Sequence, residues 1–299
     1  MAEKEPKINI GIFGIGMVGG ALQKYFEGKS NYKLFVYDKG NNIGTVKEVV
    51  VNSDFIYICV PTPHTDEDGC DISIVETVVK QIDEMKTDRL KGVIIKSTVL
   101  PGTTEELQKK HPDLKMLFVP EFLTEITADQ DMGYPDRQIV GYTDQSYNVV
   151  KDVLQQLPLA PYERMIPATE AEMIKYFGNT WFATKVGFAN QIYDLCERLN
   201  ISYDIVMSGA SADKRIGRTH LKVWHKGYRG YGNLKVSKCL PKDTKALIKF
   251  GKDMNVEMSL LKTVDEYNTK LWELYGDEGK VVEDKDTEFT SGGDLVPKK

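Results

Sequence analysis

Two short stretches hold the residue types that covalent and acid–base chemistry needs. In "KCLPKDTKAL", Lys238 to Leu247, one thiol, Cys239, stands beside Pro241, Lys242 and Asp243. A cysteine kept only as apolar filler has no use for that company; a cysteine that attacks an electrophile has. In "AEMIKYFGNT", Lys175 and Asn179 are four apart, so a helix puts both on one face. Among Met173, Ile174, Tyr176, Phe177 and Trp181, Lys175 is either a snorkelling surface residue or a placed charge. Thr98 in "KSTVLPGTT" and Glu121 and Glu125 in "VPEFLTE" each follow a strand-like run. The carboxyl ends of strands border the ligand crevice of an open parallel sheet. Taken singly, Glu121 reads as a helix N-terminal acid and Thr98 as a turn hydroxyl. Their occurrence after successive strands favours a site.

The elements that must position these groups are legible from periodicity. "KINIGIFGIGMVGGALQKYFEG" predicts a strand, a tight turn and a helix, with Gly14, Gly16 and Gly19 in G-x-G-x-x-G spacing. Gly14 permits the turn, Gly16 lets the backbone approach a pyrophosphate, and Gly19 lets the helix pack on the strand. The helix N-terminus offers N–H groups to the phosphates. A second strand, "YKLFVYD", ends at Asp38, an acid placed to bond a ribose 2′-hydroxyl and repel a 2′-phosphate, so NAD is favoured over NADP. "DFIYICV", "GVIIKS", "KMLFVP" and "RQIVGY" are further strands, and "ISIVETVVKQIDEMK" is one of the helices between them. Such alternation predicts a doubly wound, Rossmann-type α/β domain over residues 1–167.

Strands then stop. A long helix is expected from "ATEAEMIKYFGNTW" to Asn200, started by a capping box of Thr169 and Glu172. Helices at Tyr203 to Ala210 and Thr244 to Tyr275, broken near Gly251, complete an all-helical domain over residues 168–275. Residues 276–299 read as an acidic, disordered tail.

The bulk properties fit a soluble globular chain: 299 residues, 41% hydrophobic and 28% charged. No apolar run approaches the roughly 20 residues of a membrane helix, and the N-terminus lacks a signal peptide's apolar core, so a cytoplasmic location is expected. Cys59, Cys70, Cys196 and Cys239 form no Cys-x-x-Cys pair or zinc spacing, so thiols and no metal are expected. The stretch from Asp213 to Lys238 has eight Lys or Arg against one Asp, yet the net charge of −5 argues against nucleic acid. A diphosphate ligand explains the basic strip better. His220 is expected to pack rather than catalyse.

The chain resembles the UDP-glucose/GDP-mannose dehydrogenase family. The resemblance lies in "GIFGIGMVGG", "SDFIYICVPTP", "KSTVLPGTT", "VPEFLTE", "AEMIKYFGNTWFATKVGFANQIYDLCERL", "DKRIGRTHLK" and "CLPKDTKALI", in that order over roughly the first 270 residues. It implies oxidation of a sugar-nucleotide primary alcohol to a carboxylate, with two NAD per turnover and UDP-glucose as the first candidate substrate. It implies Cys239 as nucleophile, helped by Lys242 or the following helix dipole. Lys175 and Asn179 would stabilise oxyanions, Asp243 and Glu121 would handle protons and water, and Thr98 would position that water. Cofactor contacts would come from Gly14, Gly16, Met17, Val18, Gly19, Asp38, Val60, Thr62, Thr98, Glu125 and Lys242. Substrate contacts would come from Glu121, Phe122, Leu123, Lys175, Asn179, Arg215 and Lys222, with Arg215 reaching across from a second subunit of a homodimer or larger oligomer.

Two departures accompany the resemblance. "GYGNLKVSKC" puts extra residues between Gly232 and Cys239, so an altered substrate loop is expected. No second Rossmann-type strand and turn is read after Tyr275, so the family's third, nucleotide-gripping domain is expected to be missing. Two alternatives therefore stand beside the nucleotide-sugar enzyme: a non-catalytic NAD-binding or assembly protein, and a dehydrogenase for a smaller hydroxylated substrate.

Overall fold

The structure, a computed structural model, describes residues 7–67, 69–237 and 239–277. The chain forms two compact units. The first holds the chain up to Thr65 and Cys70–Lys175; the second holds Asp66–Gly69 and the chain from Tyr176 onward.

The first unit is built on a seven-stranded sheet. Its elements run β1 (Ile8–Phe13), α1 (Met17–Glu27), β2 (Tyr32–Tyr37), α2 (Val46–Asn52), β3 (Phe55–Ile58), α3 (Ser73–Met85), β4 (Gly92–Ile95), α4 (Thr103–Lys110), β5 (Met116–Phe118), α5 (Ala128–Gly133), β6 (Arg137–Tyr142), α6 (Val150–Gln156), and β7 (Tyr162–Pro167). The strand order is β2-β1-β3-β4-β5-β6-β7. All neighbours are parallel except β5 and β6. The order reverses between β1 and β3, which opens a crevice at their carboxyl ends. β3 and β4 are buried along their whole length, as apolar runs without alternation require. One sheet face packs Phe13, Ile58, Ile95 and Phe118 under α2 and α3. The other packs Ile12, Tyr57, Ile94 and Leu117 with Leu22 and Phe26 of α1. Each such side chain contributes roughly 1.5–3 kcal/mol by leaving water.

The second unit is largely helical. α7 (Ala168–Leu199) begins in the first unit, directly after β7, and continues here. It ends at Asn200, whose φ of 55° and N–H bond to Glu197 close it as expected. α8 (Tyr203–Ser211), the short strands β8 (Trp224–His225) and β9 (Tyr228–Arg229), α9 (Leu240–Asp253), and α10 (Ser259–Tyr275) follow. Gly251 lies inside α9; the break falls later, where Asn255 takes φ 58° and Val256 N–H bonds Gly251 O. Arg229, 2% exposed, ties β9 to α7: it donates to Asn190 and pairs with Asp194 at 2.8 Å. The tail expected from residue 276 lies, after Asp277, outside the described residues.

Candidate active site

The glycine loop of the first unit has the shape of an anion cradle. Gly14 takes φ 88°, and its N–H bonds Tyr37 O at 2.9 Å. A Cβ on Gly19 would sit 1.9 Å from Gly14 O, so only glycine lets α1 approach β1 this closely. A Cβ on Gly16 would meet nothing within 4 Å and would instead fill the space over the N-terminus of α1. No acidic side chain occupies the first turn of α1, so its N–H groups face that space uncompensated. A cleft of about 490 Å³ opens there, lined by Gly16, Met17, Gly20, Lys24, Glu125 and Asp129 among others. Val18 follows in the same turn. Lys24 and Asp129 pair at 2.5 Å on its rim.

Asp38 lies just beyond β2, as the spacing requires. Its Oδ2 accepts the Ile15 N–H at 2.6 Å and its Oδ1 accepts the Asn41 N–H at 2.8 Å. The Ile15 bond is the main reason its carboxyl is held below the usual range. The loop thus presents a carboxylate to a ribose, an open floor to a pyrophosphate and a helix N-terminus, a donor and acceptor set that fits NAD.

The carboxyl ends of β3, β4 and β5 hold the next group. Thr62 is buried and donates to Thr98 O at 2.7 Å, and Cys70 Sγ lies 3.5 Å from the same carbonyl. Val60, half-buried, accepts from Ser97 Oγ at 2.7 Å. Thr62 therefore spends its hydroxyl inside the loop, fixing the backbone that carries Thr98. Glu121 and Lys175 form a buried ion pair at 3.0 Å, each 7% exposed in its side chain. The other Glu121 oxygen accepts the Leu123 N–H. Phe122 lies under the Arg137 guanidinium, 3.9 Å from the ring centroid. Lys175 is thus a placed charge and not a snorkelling one.

Glu172 does not close a capping box on α7. It is fully buried, and it accepts from Gly102 N–H at 2.6 Å, Thr104 N–H at 2.8 Å and Thr104 Oγ1 at 2.6 Å. It caps α4 instead, because that helix starts at a left-handed glycine with no side-chain cap of its own. Sequence spacing cannot show a partner about 70 residues away.

In the second unit, Cys239 is exposed and occupies the N-cap of α9, with Pro241 in the first turn. Asp243, 1% exposed, accepts from Asn179 Nδ2 at 2.5 Å through one oxygen. Lys242 Nζ lies 2.6 Å from the other. Asn268 of α10 accepts from Tyr231 N–H and donates to Gly232 O, and it would lie 2.4 Å from a Cβ on Gly230. The glycine loop before Cys239 is therefore anchored ahead of its extra residues. Arg215 and Lys222 are on the surface, and Arg215 forms a fork with Asp213, down to 2.6 Å. His220 stacks on Phe182 at 4.0 Å between centroids, and burial pushes its pKa down to about 4, as befits a packing residue.

Two adjoining family models match. Residues 36–157 match the NAD binding domain of the UDP-glucose/GDP-mannose dehydrogenase family, and residues 169–270 match its central domain. The chain belongs to this family. It therefore carries the family's NAD-binding domain. The UDP-glucose 6-dehydrogenase of Campylobacter jejuni is 34% identical over 245 residues, covering 79% of this chain and 58% of its own length. The GDP-mannose 6-dehydrogenase of Pseudomonas aeruginosa is 30% identical, covering 75% of this chain and 52% of its own. A UDP-glucose dehydrogenase structure from Pyrobaculum islandicum superposes with a TM-score of 0.76 at 26% identity, over 90% of this chain and 70% of that one. The chain spans about half the length of the curated relatives it matches. Among the described residues, no cluster of three His, Cys, Asp or Glu could hold a metal, and no helix is long and apolar enough to cross a membrane.

Proposed function

We propose that the chain oxidises the primary alcohol of a nucleotide sugar, UDP-glucose first, to the carboxylate through a covalent adduct on Cys239. The observation that carries this reading is an exposed thiol at the N-cap of α9, one turn from a buried aspartate held by Asn179 and Lys242. A helix N-terminus favours thiolate over thiol. NAD would be held by the glycine loop and Asp38, and when bound it would supply the hydride acceptor for each of the two oxidations.

The first oxidation turns the alcohol into an aldehyde, and the hydroxyl proton passes to a carboxylate, Glu121 or Asp243. The Cys239 thiolate then adds to the carbonyl carbon, giving a thiohemiacetal. Lys175 and Asn179 donate to the oxygen that bears negative charge in this step. Oxidation of the adduct leaves a thioester. Water, positioned by Thr98 and deprotonated by the same carboxylates, adds to the thioester and expels the thiolate, releasing the acid. Arg215 and Lys222 bind the substrate's diphosphate and sugar, with Arg215 serving the site of a second copy.

The test is NADH formed from a panel of UDP- and GDP-sugars, with two NADH per sugar expected from the preferred one. Cys239→Ser should slow the first oxidation and block the second. Mass spectrometry of the quenched, unmodified enzyme should find the acyl group on Cys239. Two-step turnover in Cys239→Ser, or an acyl group on Cys59, Cys70 or Cys196, would overturn the mechanism. NAD binding without turnover on any sugar would favour the non-catalytic alternative.

A further inference from the structure

Lys96 is a lysine at the end of a strand, β4, that is otherwise apolar and buried. It follows the last residue of β4 and is 5% exposed. Its N–H bonds Ile58 O at 2.8 Å, while Val119 N–H bonds Ile95 O at 2.9 Å. The β3–β4–β5 register, Ile58↔Ile95↔Phe118, therefore sets Lys96 between Cys59 and Val119. Glu121 lies two residues beyond Val119.

A buried ammonium costs several kcal/mol unless an opposite charge compensates it. Cys59 cannot do so, because burial pushes its thiol up to about 12 and keeps it neutral. Among the described residues, Lys96 Nζ makes no hydrogen bond and no ion pair within 4.0 Å. Burial, the largest effect, pulls the Lys96 ammonium below its usual range; of the titratable groups that act on it, Cys59 from the end of β3 and Glu121 from beyond β5 favour its charge, and Lys175 from α7 opposes it. Glu121 is the sole carboxylate among them, and Lys175 already holds it at 3.0 Å.

We infer that Lys96 is a positioning residue for the Glu121–Lys175 pair: two buried ammoniums share one carboxylate. The sharing keeps Glu121 as an acceptor and leaves Lys175 with N–H groups and positive charge for a ligand oxygen. One uncompensated positive charge remains in the cluster, and an oxygen that becomes anionic during oxidation neutralises it. Two lysines around one carboxylate thus make this end of the sheet selective for a developing oxyanion over a neutral alcohol. The inference rests on the proposed roles of Glu121 and Lys175.

Lys96→Met keeps the unbranched shape and removes the charge; Lys96→Arg keeps the charge. With the preferred sugar nucleotide, Lys96→Met should lower kcat about ten-fold, leave KM within about two-fold, and move the acid limb of the pH–rate profile upward by about one unit. Lys96→Arg should retain the acid limb. A folded Lys96→Met with an unmoved acid limb, or with a change in KM alone, refutes the inference. A second arm needs no turnover. The ¹³Cε resonance of Lys96, assigned through Lys96→Arg, should titrate about one unit lower in Glu121→Gln, because the group that favours its charge is gone. An unmoved midpoint refutes the inference even if Lys96→Met does not fold. Absence of NADH from the unmodified chain would defeat the proposed function, while the resonance shift would still decide the charge sharing.

Discussion

Glu172→Gln should flatten the pH dependence of the first unit's stability. In the folded chain the carboxyl is fully buried, and burial pushes its pKa up to about 7 against an ordinary 4.5, with the Thr104 and Gly102 hydrogen bonds pulling it back. The folded state therefore binds a proton that the unfolded state has released between these two values. The stability this carboxyl contributes is fullest below about pH 4.5, falls as pH rises through the window, and is flat above about 7. About 2.5 units at 1.36 kcal/mol per unit make this fall about 3 kcal/mol. Glutamine does not titrate. Its Oε1 can accept from Thr104, but its Nε2 faces the Gly102 N–H, a constant loss of about 1–2 kcal/mol. The variant should thus be the less stable form at pH 4.5 and overtake the unmodified chain by pH 7.5. The assay is urea unfolding across that range, followed by far-UV ellipticity and by hydrogen exchange of the peptide covering residues 92–118. Tryptophan fluorescence is unsuited, because Trp181, Trp224 and Trp272 all belong to the second unit. Parallel stability curves for the two proteins, within about 0.5 kcal/mol, would refute the reasoning.

NAD should bind more tightly than NADP, and Asp38→Ala should weaken NAD while erasing the preference. Asp38→Asn, which retains an acceptor for the Ile15 N–H, should lose the preference with less loss of affinity; fluorescence titration of both cofactors checks this, and equal affinities in the unmodified chain would count against it. The chain should sediment as a dimer or larger at micromolar concentration, because Phe177, Trp181, Phe188 and Leu195 leave an apolar stripe exposed along α7. Trp181→Glu with Phe188→Glu should shift it to monomer, and a clean monomer before substitution would remove the interface.

Where a residue's neighbours in sequence decide its conformation, the fold was legible from the chain. The glycine spacing, the strand "RQIVGY" and the stop at Asn200 all emerged where expected. β7 did not, because "YERMIP" is an edge strand with mostly exposed side chains and no apolar alternation. The break expected near Gly251 falls a few residues later, because Gly251 continues α9 and Asn255 supplies the left-handed turn. At the candidate site, residue types were legible and partners were not. Thr62 donating to Thr98, Glu172 capping α4 and Lys96 lying beside Cys59 depend on strand register and helix packing. The one local sign of Lys96 was a lysine ending the apolar run "GVII", a pattern that a solvent-facing strand end shows as well.

The join between β7 and α7 has no loop: Pro167 ends the strand and Ala168 begins the helix. β7 is pinned to β6 from Arg137↔Tyr162 to Tyr142↔Pro167, and β6 is pinned to β5 at Phe118↔Gly141. Gly141 leaves no room for a side chain against Ala168 and Ala171, so the helix start is seated as well. Glu121 is three residues past β5 and Lys175 eight past β7. Their meeting is therefore a matter of counting. One residue inserted between Pro167 and Ala168 would turn the helix about 100° and advance it about 1.5 Å, carrying Lys175 off Glu121 and Glu172 off α4 together. The strand acts as an index mark for the helix, and at this join the number of residues constrains the site as firmly as their identity.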